Sequence, residues 1–310
     1  MRLVVLALAA LMLVITTTSA YIRLVQAGIG CEDWPACYGA NATLPQPGVV
    51  ALPEDDPLFV PRALHRVTAS VAGVLVAIIV FVGWGEWTRR RARWVAVALV
   101  LLAAGLAWLG RATPSPLPVV TLANLLGGLA MFALAVRLLE PQAGRFAAPP
   151  VALLGWTRAA LVLALVQIAL GGLIGARFGA TACNALPLCD ALGAIGADTL
   201  TALNPFSADS TADPGGKTLL HVLHRLVAIA LSLAMLRVTQ LIWHQATHLR
   251  RHAAIALALV ALQIASGALF VLQPGIAFAL AHNVGAALLL AALAAIGVSF
   301  ANSRLAGGRA

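Results

Sequence analysis

Charge is what this sequence has least of. Only 20 of its 310 residues are Lys or Arg and 11 are Asp or Glu, 10% together, where a soluble domain carries roughly 25%. So little polar surface excludes a water-soluble globule. Carboxylates are missing from the long apolar runs altogether, and those runs are not broken mid-way by Gly/Pro pairs. Both absences argue against a secondary transporter. The net charge of +9 does not point to nucleic acid, because Arg89–Arg91 with Arg93, and Arg250 with Arg251, fill short gaps between apolar runs. Cysteine occurs four times, and no histidine lies in either cysteine loop, which disfavours zinc. No low-complexity tract is present.

What fills the chain instead is hydrophobic sequence, 61% of it. A membrane helix needs about 20 mostly apolar residues, and eight stretches qualify: 3–25, 64–84, 94–111, 118–137, 152–175, 218–243, 253–272 and 277–300. The expected fold is therefore an all-α integral membrane protein. Two gaps are long, 26–63 and 176–217. They hold Glu32, Asp33, Glu54, Asp55, Asp56, Asp190, Asp198, Asp209 and Asp213. The other sides carry Arg89–Arg91, Arg93, Arg145, Arg250, Arg251, Arg304 and Arg309. By the positive-inside rule both termini are cytoplasmic and the long loops lie outside. Two tight turns, Thr113-Pro114-Ser115-Pro116 and Gln273-Pro274-Gly275, also fall outside and make hairpins of the spans they join. Arg2, the first apolar run and Thr18-Ser19-Ala20 also fit a cleaved secretory signal. The repeat described next needs the first span as a helix, so we retain it.

The chain can be laid over itself. Cys31 and Cys37 fall on Cys183 and Cys189 by one shared offset. Leu64-His65-Arg66 falls on Leu223-His224-Arg225, and Ala69 on Ala228. Ala123-Asn124 and Gly127 fall on Ala281-His282 and Gly285. This predicts two repeated four-helix bundles, 1–145 and 146–310, running parallel. Each would carry an outer Cys-x5-Cys loop. An oxidising exterior favours disulfides within each loop, and a redox-active dithiol is the alternative.

Seven histidines divide into two groups. His244, His248 and His252 follow the sixth span beside Arg250 and Arg251 and read as an interfacial basic stripe. His65, His221, His224 and His282 lie in or beside spans, where a titratable residue is a functional hypothesis. His224 and His282 fall at matched depth on two helices of one bundle. That arrangement suits bis-histidine ligation of a haem iron; the alternative is two separate histidines each bonded to a carbonyl. Arg66 and Arg225 are placed for haem propionates, or for snorkelling to the interface.

Several of these residues resemble the haem A synthase family of cytochrome oxidase assembly. They are Gly30-Cys31-Glu32-Asp33-Trp34-Pro35-Ala36-Cys37-Tyr38-Gly39, His65-Arg66, Gln167-Ile168-Ala169-Leu170-Gly171-Gly172, Cys183 through Cys189, His224-Arg225 and His282. The resemblance implies a multi-pass enzyme of the bacterial inner membrane with its long loops in the periplasm. It would oxidise the C8 methyl of haem O to the formyl of haem A. Haem b would sit between His224 and His282 in the C-terminal half, and the N-terminal half, with His65 as its catalytic ligand, would receive haem O. Partners implied are an electron donor, haem O synthase and oxidase assembly factors. The chain departs from the family at Arg62, where a Glu is expected, and at Asn124, where a second ligand histidine is expected. Asn124 then lines the substrate site without being a strong iron ligand. A non-catalytic haem b protein of the same fold, serving electron transfer, haem handling or oxidase assembly, is the alternative function.

Overall fold

A computed structural model describes residues 1–27, 57–86, 90–113, 115, 117–139, 150–207 and 213–307. Its helices are α1 (Arg2–Gln26), α2 (Phe59–Glu86), α3 (Arg90–Leu109), α4 (Pro118–Leu139), α5 (Val151–Ala176), α6 (Pro214–Gln245), α7 (Arg250–Leu272) and α8 (Ile276–Gly307). All eight are long and apolar enough to cross a membrane, and no strand occurs among the described residues. Large apolar side chains such as Phe81, Leu101 and Leu233 are left exposed, as lipid-facing positions require. Cys31, Cys37 and the boundary expected at residue 145 lie outside the described residues.

Packing closes two rings. In one, α1 contacts α2 and α4, and α3 contacts both of those; in the other, α5 contacts α6 and α8, and α7 contacts both. The rings meet where α8 packs on α1 and α4, and where α4 packs on α5. Helix α8 is shared: Leu289, Leu293 and Ile296 enter the core of α5–α7, while Ala287, Leu290 and Ala291 enter the core of α1–α4. A smaller core of Leu122, Leu170, Leu173, Ile174, Ala202 and Leu220 ties α4 to α5, α6 and the loop after α5.

Two helices begin earlier than their apolar runs. Helix α2 starts at Phe59, placing His65 inside the helix, and α6 starts at Pro214. The first turn of α6 is Pro-Gly-Gly-Lys, which hydropathy does not count; proline at the first helical position is nevertheless preorganised for it. Turns between helices are held by cations. Arg250 donates to the carbonyl of Trp243 at 2.6 Å and covers its ring. Arg93 of α3 lies over the Trp84 ring of α2.

The loop 177–207 is folded rather than slack. Gly179 N–H donates to the Ile174 carbonyl, with Phe178 in the left-handed region at φ 50°, which closes the C-terminus of α5 as a Schellman turn. Short 3₁₀ turns follow at Leu192–Ala194 and Ala197–Leu203. The Pro205 carbonyl then accepts from Val119 N–H at 2.8 Å, satisfying one of the unpaired donors at the start of α4.

Candidate haem-binding site in the α5–α8 ring

Four residues form one layer of the second ring: Gly171 of α5, His224 of α6, Gly267 of α7 and His282 of α8. Seven residues further toward the other end of each helix, Ala164, Leu231, Val260 and Leu289 form the layer below, all buried in one core. Two helical turns, about 10 Å, separate the layers. The histidines occupy opposite corners of the ring, and the glycines occupy the other two. The imidazole centroids are 6.2 Å apart with a 52° tilt.

At the two glycines the imidazoles leave little room for a side chain. A Cβ at 171 would lie 3.2 Å from His224 Cε1, and one at 267 would lie 3.3 Å from His282 Cε1. Both glycines end the same five-residue pattern: Gln167-Ile-Ala-Leu-Gly171 in α5 and Gln263-Ile-Ala-Ser-Gly267 in α7. In each, glutamine and glycine stand one turn apart on one helix face.

The two imidazoles are held differently. Nδ1 of His282 faces the Gln263 carbonyl at 3.1 Å and Ser266 Oγ at 3.2 Å. With the proton on Nδ1 donated to that carbonyl, Nε2 keeps its lone pair for a metal, as a supported ligand requires. The amide of Gln263 donates to the His282 carbonyl at 2.9 Å. His224 has no such support: its Nδ1 is buried without a partner, and its Nε2 meets Gln167 Nε2 at 2.9 Å.

Next to this layer lies the disulfide Cys183–Cys189, and Arg225 joins the two. Its guanidinium donates to the carbonyls of Ala185 and Pro187 at 2.9 Å each, and to Cys183 at 3.3 Å. His221, one turn before His224, donates from Nε2 to the Gly179 carbonyl at 2.7 Å and secures the end of α5. Arg177, 1% exposed, donates to the Asn204 carbonyl at 2.6 Å. Burial lowers its guanidinium from the ordinary value, with Asp213 opposing. The family resemblance includes Gln167 through Gly171 but misses Arg177 and the recurrence of the pattern at Gln263 through Gly267, for which the repeated Gln-Ile-Ala-x-Gly was the signal.

The corresponding positions of the first ring differ. His65 is partly exposed on α2 and Arg66 is exposed. Arg62 also lies on α2. The Asn124 amide donates to Thr113 Oγ1 at 3.1 Å, and Thr113 Oγ1 in turn donates to the Leu109 carbonyl.

Trans axial imidazoles impose a spacing that the second ring can be checked against. An imidazole nitrogen lies about 1 Å from its ring centroid and binds a metal at about 2 Å, so two trans imidazoles stand about 6 Å apart. The 6.2 Å between His224 and His282 fits that requirement.

Comparison with known proteins agrees with the resemblance. Residues 2–294 match the family model COX15-CtaA, described as cytochrome oxidase assembly protein. A haem A synthase from Shewanella oneidensis is 29% identical over 303 residues, covering 92% of each chain. A protoheme IX farnesyltransferase from Natronomonas pharaonis is 33% identical over 91 residues, a segment covering 29% of this chain and 17% of that one. The match spanning nearly the whole chain, with the paired histidines inside it, decides the family: this chain belongs to the COX15-CtaA family of cytochrome oxidase assembly proteins.

Proposed function

We propose that this protein acts in haem A biosynthesis for cytochrome oxidase, as a multi-pass membrane haem protein that oxidises the C8 methyl of haem O to a formyl group. The observation that carries this reading is the His224–His282 pair, 6.2 Å apart at opposite corners of a helix ring, in a chain of this family. A haem b bound there supplies one-electron chemistry. His282 and His224 would hold it, His282 with its Nδ1 already anchored, while Gly171 and Gly267 keep the space beside the imidazoles clear. Arg225 holds the Cys183–Cys189 loop over this layer, and its N–H groups not given to the loop remain for propionates.

The two closed rings and the self-similar sequence support two four-helix units, 1–145 and 146–310. The first would receive haem O, with His65 as its ligand, Arg66 at its mouth and Asn124 beside it. The Arg distribution supports cytoplasmic termini and outward long loops in the bacterial inner membrane. By analogy with Cys183–Cys189, Cys31 and Cys37 would pair within their own loop. Taking a methyl to a formyl adds one oxygen atom and removes four electrons, so the reaction needs an external oxidant such as dioxygen, with an electron donor to activate it; haem O synthase and oxidase assembly factors are the partners this role brings.

A second reading has its own observation: the Asn124 amide is already engaged by Thr113, and Arg62 stands where the family resemblance implies a carboxylate. Under it the protein binds haem b without converting haem O. Expression with haem O, followed by pigment extraction, separates the two. Haem A in wild type and none in His65→Ala, with the haem b spectrum retained, supports the enzyme. Haem O recovered unchanged from wild type overturns it.

A further inference from the structure

Iron at this site would need the Nε2 lone pair of His224, and Gln167 already uses that atom. In the tautomer with the proton on Nδ1, the Gln167 amide donates to Nε2 at 2.9 Å; with the proton on Nε2, the amide must turn over so that its oxygen accepts. Nε2 is engaged either way. The contact is also poorly satisfied: Gln167 Oε1 and His224 Nδ1 are both buried without partners. The Nδ1 edge of His224 faces Gly171 at 3.8 Å from the position of a Cβ, where the helix offers it no acceptor. His282 is the opposite case. Its Nδ1 is anchored to the Gln263 carbonyl and Ser266 Oγ, and Gln263 directs its own amide to the His282 backbone rather than to the ring.

One Gln-x3-Gly pattern therefore does two jobs. In α7 it leaves the imidazole preset; in α5 it places an amide against the ligating nitrogen. A metal-bound histidine normally has its second ring nitrogen hydrogen-bonded, which fixes the tautomer and raises ligand basicity. His282 has that support and His224 lacks it.

We propose that His224 is the exchangeable axial ligand of the pair, and that Gln167 is a positioning residue that competes with iron for His224 Nε2. With haem bound, an opening of the bond between His224 and iron would let the Gln167 amide take the freed imidazole nitrogen and delay its return. This inference rests on the haem reading above. It concerns ligand exchange at that site rather than the conversion of haem O.

The test uses the purified full-length protein with its bound haem and variants Gln167→Leu and Gln167→Met, which keep the volume and remove the hydrogen bond. Two rates are measured: transfer of haem to excess apomyoglobin, and binding of carbon monoxide to the reduced protein. A net hydrogen bond is worth a factor of about 2–10, so both rates should fall by about that factor. The direction is diagnostic, because a variant that merely loosened the bundle would lose haem faster. Gln263→Leu removes an amide that supports the His282 backbone and touches neither ring, so it should quicken haem loss rather than slow either rate. Unchanged or faster rates in both Gln167 variants overturn the proposal while leaving the haem reading in place, and so does equal slowing in Gln263→Leu. A wild type without any His224-dependent haem overturns the haem reading itself, and this proposal with it.

Discussion

Filling the two glycine corners perturbs the site while leaving every ligand in place. A Cβ at 171 or 267 would stand 3.2 or 3.3 Å from the Cε1 of its histidine, inside ordinary contact by a few tenths of an ångström. Metal–ligand distances tolerate roughly 0.2 Å, so alanine sits at the edge of what the imidazole can absorb. Gly171→Ala and Gly267→Ala should weaken haem retention by less than about tenfold. Valine adds two methyl groups against the ring, and overpacking of that size costs about 1–3 kcal/mol. Gly171→Val and Gly267→Val should therefore release haem about 5–150-fold more readily. The assay is haem content and low-spin absorbance after purification and dilution, with helical content and thermal unfolding measured alongside. Full haem with an unchanged spectrum in both valine variants would refute the reasoning, since the imidazoles could not then occupy the layer described.

Other outcomes follow from the loop above the site. Arg225→Ala frees three carbonyls of the 183–189 loop, so thiol reductant should open Cys183–Cys189 several-fold faster, followed by alkylation and mass spectrometry; an unchanged rate contradicts the clamp. Arg177→Ala strips the Asn204 carbonyl of its donor and should cost about 1–3 kcal/mol in thermal stability. Arg177→Met should cost less, since it keeps the volume and removes a desolvated charge; equal stability of the Ala variant and wild type contradicts this.

The spans were legible because hydropathy is a bulk property of about 20 residues, and all eight are helices. Their polar ends were not. Helix α6 begins with Pro214-Gly215-Gly216-Lys217 and α2 at Phe59, where interfacial turns carry no apolar signal. The pairing of His224 with His282 could be read from depth alone, because two rigid helices at one level leave few alternatives. The glycines opposite them were harder. Gln167–Gly171 recurs at Gln263–Gly267, on α5 and α7 of the same half, so overlaying one half of the chain on the other does not align them. Arg177 resembles any interfacial arginine at a helix end; only the folded loop after α5 shows it buried. Arg225 was expected at propionates or snorkelling to the interface, and its three loop carbonyls are contacts between segments about 40 residues apart that no local pattern encodes.

The central claim is that His224 and His282 jointly hold one haem. Its most direct measurement is the haem content and low-spin spectrum of the purified wild type beside His224→Ala and His282→Ala. The wild type should carry a low-spin b-type haem with two imidazole ligands in the α5–α8 ring. Each single substitution should abolish that low-spin signal and most of the pigment, while His65→Ala leaves it unchanged. A normal low-spin haem in both His224→Ala and His282→Ala would contradict the account.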